Sequence, residues 1–238
     1  MPVPATPSQA LAPAPPTAVA AQAGWTDQPV FCIFRVQVRD GRAFGDYLTG
    51  SLATIVAAGG RFLAAGAVPQ PVEGDWPLRR VIVHQWPNAA AFFAWYEGSP
   101  YAPWKQIRQR AADCDVVLVQ GIAAAAPAAT QPPALALIDL RDLRDRELFG
   151  RYAQGHQAGL RAAGGEFLAA GGRFQVLEGT WAPGRVVLQR WPSLAAFRAW
   201  YDSAPYRPWR EMRWAASQAD FAVFEGLSEA QKRDRGMP

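Results

Sequence analysis

The stretch GGRFLAAGAVPQPVEGDWP at residues 59–77 returns at residues 164–182 as GGEFLAAGGRFQVLEGTWA. The two stretches are separated by 105 residues. When Asp40–Gly121 is aligned with Asp145–Gly226 at this offset and without a gap, about 37 of the 82 positions are identical. A unit of this length that occurs twice indicates a duplicated domain rather than a solenoid.

The repeat divides the 238 residues into five predicted segments. The alanine- and proline-rich composition of residues 1–28 predicts a disordered tail. Copy one spans residues 29–122 and copy two spans residues 135–228. Residues 123–134, again rich in alanine and proline, form a linker, and residues 229–238 form a C-terminal tail.

The turn signals and hydrophobic periodicity of each copy predict the order βαββαβ. Asp40 is expected to cap the first helix, which ends at Gly59-Gly60. The second strand is expected to run from Arg61 towards Val72. We expect Pro87 near the first position of the second helix, and we expect Pro100 to break or kink that helix. The strands are predicted at Val30–Val38, Arg80–Trp86 and Asp115–Gln120, and in copy two at Leu135–Leu143, from Glu166 towards Leu177, at Arg185–Trp191 and at Asp220–Glu225.

This order is that of the ferredoxin-like split-βαβ unit, so the fold class is α+β. The two helices of such a unit cover one face of its sheet, and the other face requires a partner. The second copy lies in the same chain, and a 12-residue linker reaches at most about 40 Å. We therefore expect the two sheets to meet face to face as an internal dimeric α/β-barrel, a pseudo-dimer with helices outside. Pairing between chains and higher oligomers stay open.

Composition limits the classes of partner. The net charge is +4 from 24 basic and 20 acidic residues without a basic run, which argues against nucleic acid. No apolar stretch is long enough for a membrane span. The N-terminal segment lacks the basic and apolar regions of a signal peptide. Cys32 and Cys114 are not equivalent between the copies and are expected to be reduced, which fits a cytoplasmic location.

The residues of both copies resemble the bacterial DUF1330 family over nearly their whole length. The resemblance rests on Gly59-Gly60-Arg61-Phe62-Leu63, Glu73-Gly74-Asp75-Trp76-Pro77, Arg80-Val81-Ile82-Val83, Ala94-Trp95-Tyr96 and their counterparts in copy two. It implies a dimeric α/β-barrel, usually one domain that pairs with another chain, and it implies no established activity and no catalytic residues. Neighbouring families of this barrel include cofactor-independent monooxygenases, small isomerases and haem-binding enzymes, an analogy at the level of fold alone.

The histidines and one strand arginine are the first candidates for a site. His84 and His156 are the only histidines; the repeat places them opposite Gln189 and Ser51. His84 is the weak catalytic candidate because its strand borders the expected cavity, although a structural histidine is the commoner case. Its strand face is left open, since Ile82, His84 and Trp86 share one side. Arg35 lies among apolar neighbours, with Leu140 at the matching position.

The hairpin that occurs in both copies supplies the second set of candidates. Glu73 with Arg80, and Glu178 with Arg185, could form a polar pair at the barrel mouth that fixes an anionic or enolisable ligand. The competing interpretation is an exposed ion pair, or a carboxylate that accepts turn amides. The substrate-binding candidates are Arg35, Glu73, Arg80, His84, Glu178, Arg185 and Gln189.

No metal or cofactor is predicted, because neither zinc-type spacing nor a phosphate-binding glycine motif occurs. Two functions remain. One is a barrel cavity that binds a small hydrophobic or carbonyl-containing metabolite, with cofactor-independent catalysis left open. The alternative is a non-catalytic binding or interaction module whose barrel is filled by side chains.

Overall fold

The computed structural model describes residues 24–77, 79–126 and 131–237. Most of the predicted N-terminal tail and the centre of the predicted linker therefore lie outside the described residues. The elements of copy one are β1 (Val30–Val38), α1 (Gly41–Ala57), β2 (Arg61–Ala67), β3 (Gln70–Glu73), β4 (Arg80–Trp86), α2 (Ala89–Tyr96), α3 (Ala102–Ala111) and β5 (Ala112–Gln120).

Copy two repeats this order with one additional break in its first helix. Its elements are β6 (Ala134–Leu143), α4 (Arg146–Gly155), α5 (Gln157–Ala162), β7 (Glu166–Ala170), β8 (Phe174–Glu178), β9 (Val186–Trp191), α6 (Leu194–Tyr201), α7 (Arg207–Ala216) and β10 (Ser217–Glu225). A last helix, α8 (Glu229–Asp234), follows within the predicted C-terminal tail, and its Ser228 and Gln231 form a capping box. No helix in the described residues is long and apolar enough to cross a membrane.

The two copies exchange a strand. The sheets have the orders β2-β4-β1-β5-β8 and β3-β10-β6-β9-β7, so each copy completes the other's sheet with its short hairpin strand. The prediction of one continuous second strand from Arg61 to Val72 is therefore wrong. The chain leaves β2 after Ala67, and beyond Pro69 it pairs with β10 of copy two. Proline has no amide hydrogen to donate to a ladder, which favours a break there.

The faces of the sheets confirm the predicted pseudo-dimeric barrel. Alternate residues such as Phe31, Ile33 and Val83 point inward and join Leu135 and Leu188 of copy two in one buried cluster. The residues between them face the helices of their own copy and form two further cores. The inward-facing cluster is filled by aliphatic and aromatic side chains from both sheets. The barrel is thus a packed core shared by the two copies.

The helix starts agree with the sequence in one case and shift in another. Asp40 accepts hydrogen bonds from the amides of Arg42 and Ala43, and Asp145 caps α4 by accepting from the amide of Leu148. Helix α2 begins at Ala89, later than the position predicted from Pro87. Its N-cap residue is Asn88, which accepts a hydrogen bond from the Ala91 amide. Pro87 therefore precedes the cap.

The first strands of the copies are equivalent at an offset of 104, not 105. Arg35 pairs with Asp115 and Val81, whereas the residue that pairs with the equivalent Asp220 and Val186 is Asp139. The matching of Arg35 with Leu140 is therefore wrong. A β-bulge in β6 inserts one residue near Arg141 and restores the offset of 105 before the helix caps.

Candidate functional site

Arg35 lies at one end of the barrel interior in a buried ion pair. Its Nη2 lies 2.8 Å from Oδ2 of Asp115, and Nη1 of Arg79 lies 3.0 Å from the same oxygen. Oδ1 of Asp115 accepts from the amides of Thr180 and Trp181 in the copy-two hairpin. Burial would raise the pKa of the Asp115 carboxyl, but these amides and Arg35 hold it below its usual value. Arg35 and Arg79 thus hold Asp115, and Asp115 in turn joins copy one to the copy-two hairpin.

Copy one has Arg35 where copy two has Asp139, and this difference leaves the indole of Trp76 without a hydrogen-bond acceptor among the described residues. Trp181 donates its Nε1–H to Oδ2 of Asp139 at 2.9 Å. The equivalent Trp76 faces Arg35, which can only donate, and its buried Nε1 has no hydrogen-bond partner among the described residues. The guanidinium of Arg35 instead lies over both indole rings, 4.2 Å from the centre of Trp181.

Glu73 and Glu178 bind across the copies rather than within their hairpins. Nη2 of the buried Arg108 donates to Oε1 of Glu178 at 2.6 Å, and Tyr96 donates to the same oxygen. Glu73 accepts from Arg213 and Tyr201 of copy two in the equivalent arrangement. Neither the predicted pairing with Arg80 or Arg185 nor the exposed-pair alternative is what the structure shows. These two clusters fasten each exchanged strand.

Close backbone approach explains the glycine after each of these glutamates. Gly179 has a φ of 87°, and a Cβ there would lie 2.4 Å from Oδ1 of Asp115. Gly74 is related to Asp220 in the same way, with a φ of 68°. Only glycine allows both this conformation and this contact.

His84 and Gln189 lie on the helix-facing side of their strands, away from the barrel interior. The His84 ring lies 4.3 Å from that of Phe62 and 5.2 Å from that of Phe34, measured between ring centres. Neither ring nitrogen has a hydrogen-bond partner among the described residues. Burial, followed by the charge of Arg108, lowers the pKa of His84 to about 3. His84 is therefore a neutral core residue in the fold.

Arg185 lies at the wall of a cavity that the sequence did not predict. This cavity, of about 420 Å³, lies between the helix-facing side of the copy-two sheet and α4 and α5, is partly open to solvent, and is also lined by Ile122 and Ala123. Its apolar lining includes Leu140, Phe149, Tyr152, Phe167 and Val187, and its polar lining includes His156, Gln157, Arg161, Glu166 and Arg185. The equivalent Arg80 of copy one donates to the carbonyl of Gly66. We call this space the copy-two cavity.

His156 is the most unusual side chain of the copy-two cavity. It also lines a second cavity of about 550 Å³ between α5 and the α6–α7 pair. Its ring stacks on Tyr152 at 4.2 Å, and Nδ1 lies 2.7 Å from the Tyr152 carbonyl oxygen. Because a carbonyl only accepts, Nδ1 carries the hydrogen and Nε2 has a free lone pair. Nε2 is buried and has no hydrogen-bond partner in the described part of the chain.

The same hydrogen bond accounts for the break in the copy-two helix. The Tyr152 carbonyl accepts both the His156 amide at 3.2 Å and the His156 ring. The equivalent residue of copy one is Ser51, and α1 runs through it without interruption. Burial lowers the pKa of His156, the bond to Tyr152 opposes this effect, and Arg213 adds to it. The imidazole is therefore a neutral hydrogen-bond acceptor near pH 7.

The sequence contained one signal that pointed to His156. It is one of two histidines and stands where copy one has a serine. Neither its burial nor its free nitrogen could be predicted, because both depend on how the helix packs on the sheet. Of the seven predicted binding candidates, Arg185 is the one that lines the copy-two cavity.

The fold agrees with the comparisons. The profile of the family described as Domain of unknown function (DUF1330) matches residues 29–122 and 133–227. The chain therefore belongs to the DUF1330 family and contains two copies of its domain. Comparison with curated proteins found no match.

Solved structures show the same fold at low sequence identity. A "putative monooxygenase" from Lactobacillus acidophilus is 11% identical with a TM-score of 0.52, covering 83% of this chain and 93% of that one. An anthrone oxidase-like protein is 13% identical with a TM-score of 0.51, covering 85% and 92%. A second "putative monooxygenase", from Fusobacterium nucleatum, is 10% identical with a TM-score of 0.50, covering 84% and 93%. At these identities the similarity establishes a shared fold.

Proposed function

We propose that this protein binds a small, largely apolar molecule in the copy-two cavity, which His156 lines. The observation that carries the proposal is an apolar cavity of about 420 Å³ whose lining includes a few polar side chains, His156, Gln157 and Arg185 among them. Small-molecule sites are typically apolar spaces of this size with a few polar groups.

The packed barrel favours this location over the barrel interior. Phe31, Leu137, Leu188 and Phe224 point inward and are fully or almost fully buried. This matches the alternative of a barrel filled by side chains. Binding is therefore proposed between helix and sheet, in copy two alone.

Binding, rather than catalysis, is the activity that the geometry supports. The lowered pKa of His156 makes it a good acceptor for a neutral donor but a weak base. The names of the similar structures suggest oxygenases, and a likeness of 10–13% identity transfers no substrate to this chain. We therefore leave catalysis outside the proposal.

Native mass spectrometry of the untagged protein tests this function. The wild type is expected to retain a small molecule that denaturation releases. The matched variant converts the cavity wall to the residues of copy one by Ala153→Leu, His156→Ser and Gln157→Leu. It is expected to fold, because the same residues occupy α1, and to carry no ligand. Equal ligand occupancy in both proteins, or a ligand-free wild type that binds nothing from a cell extract, would refute the proposal.

A further inference from the structure

The two copies differ at one indole in the wall of the second cavity, between α5 and the α6–α7 pair, which we call the interhelical cavity. In copy one, Nε1 of Trp95 donates to the Thr54 hydroxyl at 3.0 Å. Trp200 is the equivalent indole of copy two, where Gly159 takes the position of Thr54. Nε1 of Trp200 therefore has no hydrogen-bond acceptor among the described residues.

The place of the missing threonine side chain is open towards the cavity. A Cβ at Gly159 would lie 3.9 Å from Nε1 of Trp200, an ordinary contact, and would meet no other atom outside its own helix within 4 Å. Both residues line the interhelical cavity. Trp200 is 7% exposed, and its Nε1 keeps accessible surface, whereas Nε1 of Trp76 and of Trp86 is fully buried without a partner. Trp200 therefore presents a free donor to the cavity.

The remaining wall of the interhelical cavity is small, aromatic and uncharged. Its volume of about 550 Å³, partly open to solvent, suits a small molecule. The lining includes Ala162, Ala163, Ala196, Ala199, Tyr206 and Trp209. Within the described part of the chain, no aspartate, glutamate, lysine or arginine lines it. A charged ligand would lack an opposite charge there, so the wall favours a neutral one.

The free indole determines which polar group a ligand must carry. An indole N–H donates and cannot accept, so its partner must be an acceptor. A carbonyl oxygen only accepts. A hydroxyl would also bring a hydrogen that needs a partner of its own in a mostly apolar wall. A neutral carbonyl group therefore fits the position next to Trp200.

We propose that the interhelical cavity is a second binding site, which takes a neutral carbonyl compound with a small apolar body. The carbonyl oxygen takes the place that the Thr54 hydroxyl holds in copy one and accepts from Nε1 of Trp200. The apolar body lies among the alanines and against Trp209. Neither Gly159 nor Trp200 lines the copy-two cavity, so this site does not depend on the proposed function.

Acetophenone and ethylbenzene test the hydrogen bond, because they share ring and chain and differ at the carbonyl group. Nitrogen-15 NMR of the full chain follows its ten indoles, and the signal that disappears in Trp200→Phe belongs to Trp200. Acetophenone should move this signal downfield and bind about three- to tenfold more tightly than ethylbenzene, as one net hydrogen bond gives. Equal affinities, or a Trp200 signal that acetophenone does not move, would overturn the proposal.

Two substitutions at Gly159 test the location of the site. Gly159→Thr restores the arrangement of copy one and should fold, because Thr54 occupies the equivalent position. It should move the Trp200 signal downfield without a ligand and abolish the shift caused by acetophenone. Gly159→Val is the matched control, since valine has the shape of threonine without the hydroxyl. It should block acetophenone and leave the Trp200 signal of the free protein in place. Wild-type affinity for acetophenone in both variants would overturn the proposal.

Discussion

The replacement of His84 by glutamine makes the most quantitative prediction of this structure. His84 and Trp86 together leave three buried nitrogens without a partner among the described residues. In copy two the same two positions hold Gln189 and Trp191, and the indole Nε1 donates to the glutamine Oε1 at 3.2 Å. His84→Gln therefore supplies a hydrogen bond that the fold already accommodates. It is expected to raise the free energy of unfolding by about 1–2 kcal/mol at neutral pH.

Acidic pH should increase the difference in the free energy of unfolding between His84→Gln and the wild type. Burial, and then Arg108, lowers the pKa of His84 from 6.5 to about 3 in the folded state. Since the folded pKa is depressed, protonation favours the unfolded chain. The stability contributed by neutral His84 is complete above about pH 6.5 and is lost as the pH falls towards about 3. At about pH 4.5 the wild type should have lost about 3 kcal/mol through this residue.

Urea denaturation followed by tryptophan fluorescence measures both effects. The advantage of His84→Gln should grow from about 1–2 kcal/mol at pH 7.5 to about 4–5 kcal/mol at pH 4.5, by the linkage above. His156 and the carboxylates are the same in both proteins, so their effects cancel.

The reciprocal variant Gln189→His is the matched control. It removes the acceptor of Trp191 and should be less stable and more sensitive to acid than the wild type. If the wild type and His84→Gln lose the same stability between the two pH values, or if His84→Gln is destabilised at both, the reasoning about His84 is refuted.

Three further predictions concern the contacts between copies and the thiols. Glu178→Ala leaves Arg108 buried without its partner and should cost about 3–5 kcal/mol in urea denaturation; a cost below about 1 kcal/mol would contradict a buried ion pair. Gly179→Ala forces a Cβ towards Asp115 and should destabilise by more than about 2 kcal/mol, and wild-type stability would exclude the close approach. Burial raises the pKa of the Cys32 thiol, so it should react with a thiol reagent only in urea; rapid reaction of the native protein would show that the helix-facing core opens.

The fold could largely be predicted from the sequence because its signals are local and repeated. Asp40 caps the first helix at the position predicted from the sequence. The apolar alternation of β1 places Phe31 and Ile33 in the barrel, although the sequence alone did not say which face was which. The family resemblance is confirmed by the matches to both copies. The pairing of the copies followed from the need to cover a second apolar face.

The strand exchange and the bulge could not be predicted, since both depend on contacts between distant residues. Pro69 and Pro71 mark the path of the chain after β2, but nothing local shows that Glu73 meets Arg213. The residue inserted near Arg141 changes which residues of β6 are equivalent to those of β1 by one position. An alignment without gaps cannot detect this insertion. For this reason Arg35 was matched with Leu140 instead of Asp139.

The candidate site was the least predictable part. Polar residues were expected at a barrel mouth, whereas Arg35 holds Asp115 against the copy-two hairpin and Glu73 joins the copies through Arg213. The cavity lies on the other face of one sheet and depends on a helix break at His156. That break arises from a side chain competing with its own backbone for one carbonyl, a geometric property with weak sequence signals.

Nitrogen-15 NMR of the histidine rings tests the central claim most directly, because the chain has two histidines and His84→Gln leaves His156 alone. At neutral pH the free protein should show Nδ1 of His156 protonated and Nε2 unprotonated. Addition of the molecule that native mass spectrometry identifies should shift the ring signals of His156, which lines the copy-two cavity. A protonated Nε2 in the free protein, or His156 signals that stay unchanged when that molecule is bound, would contradict the account.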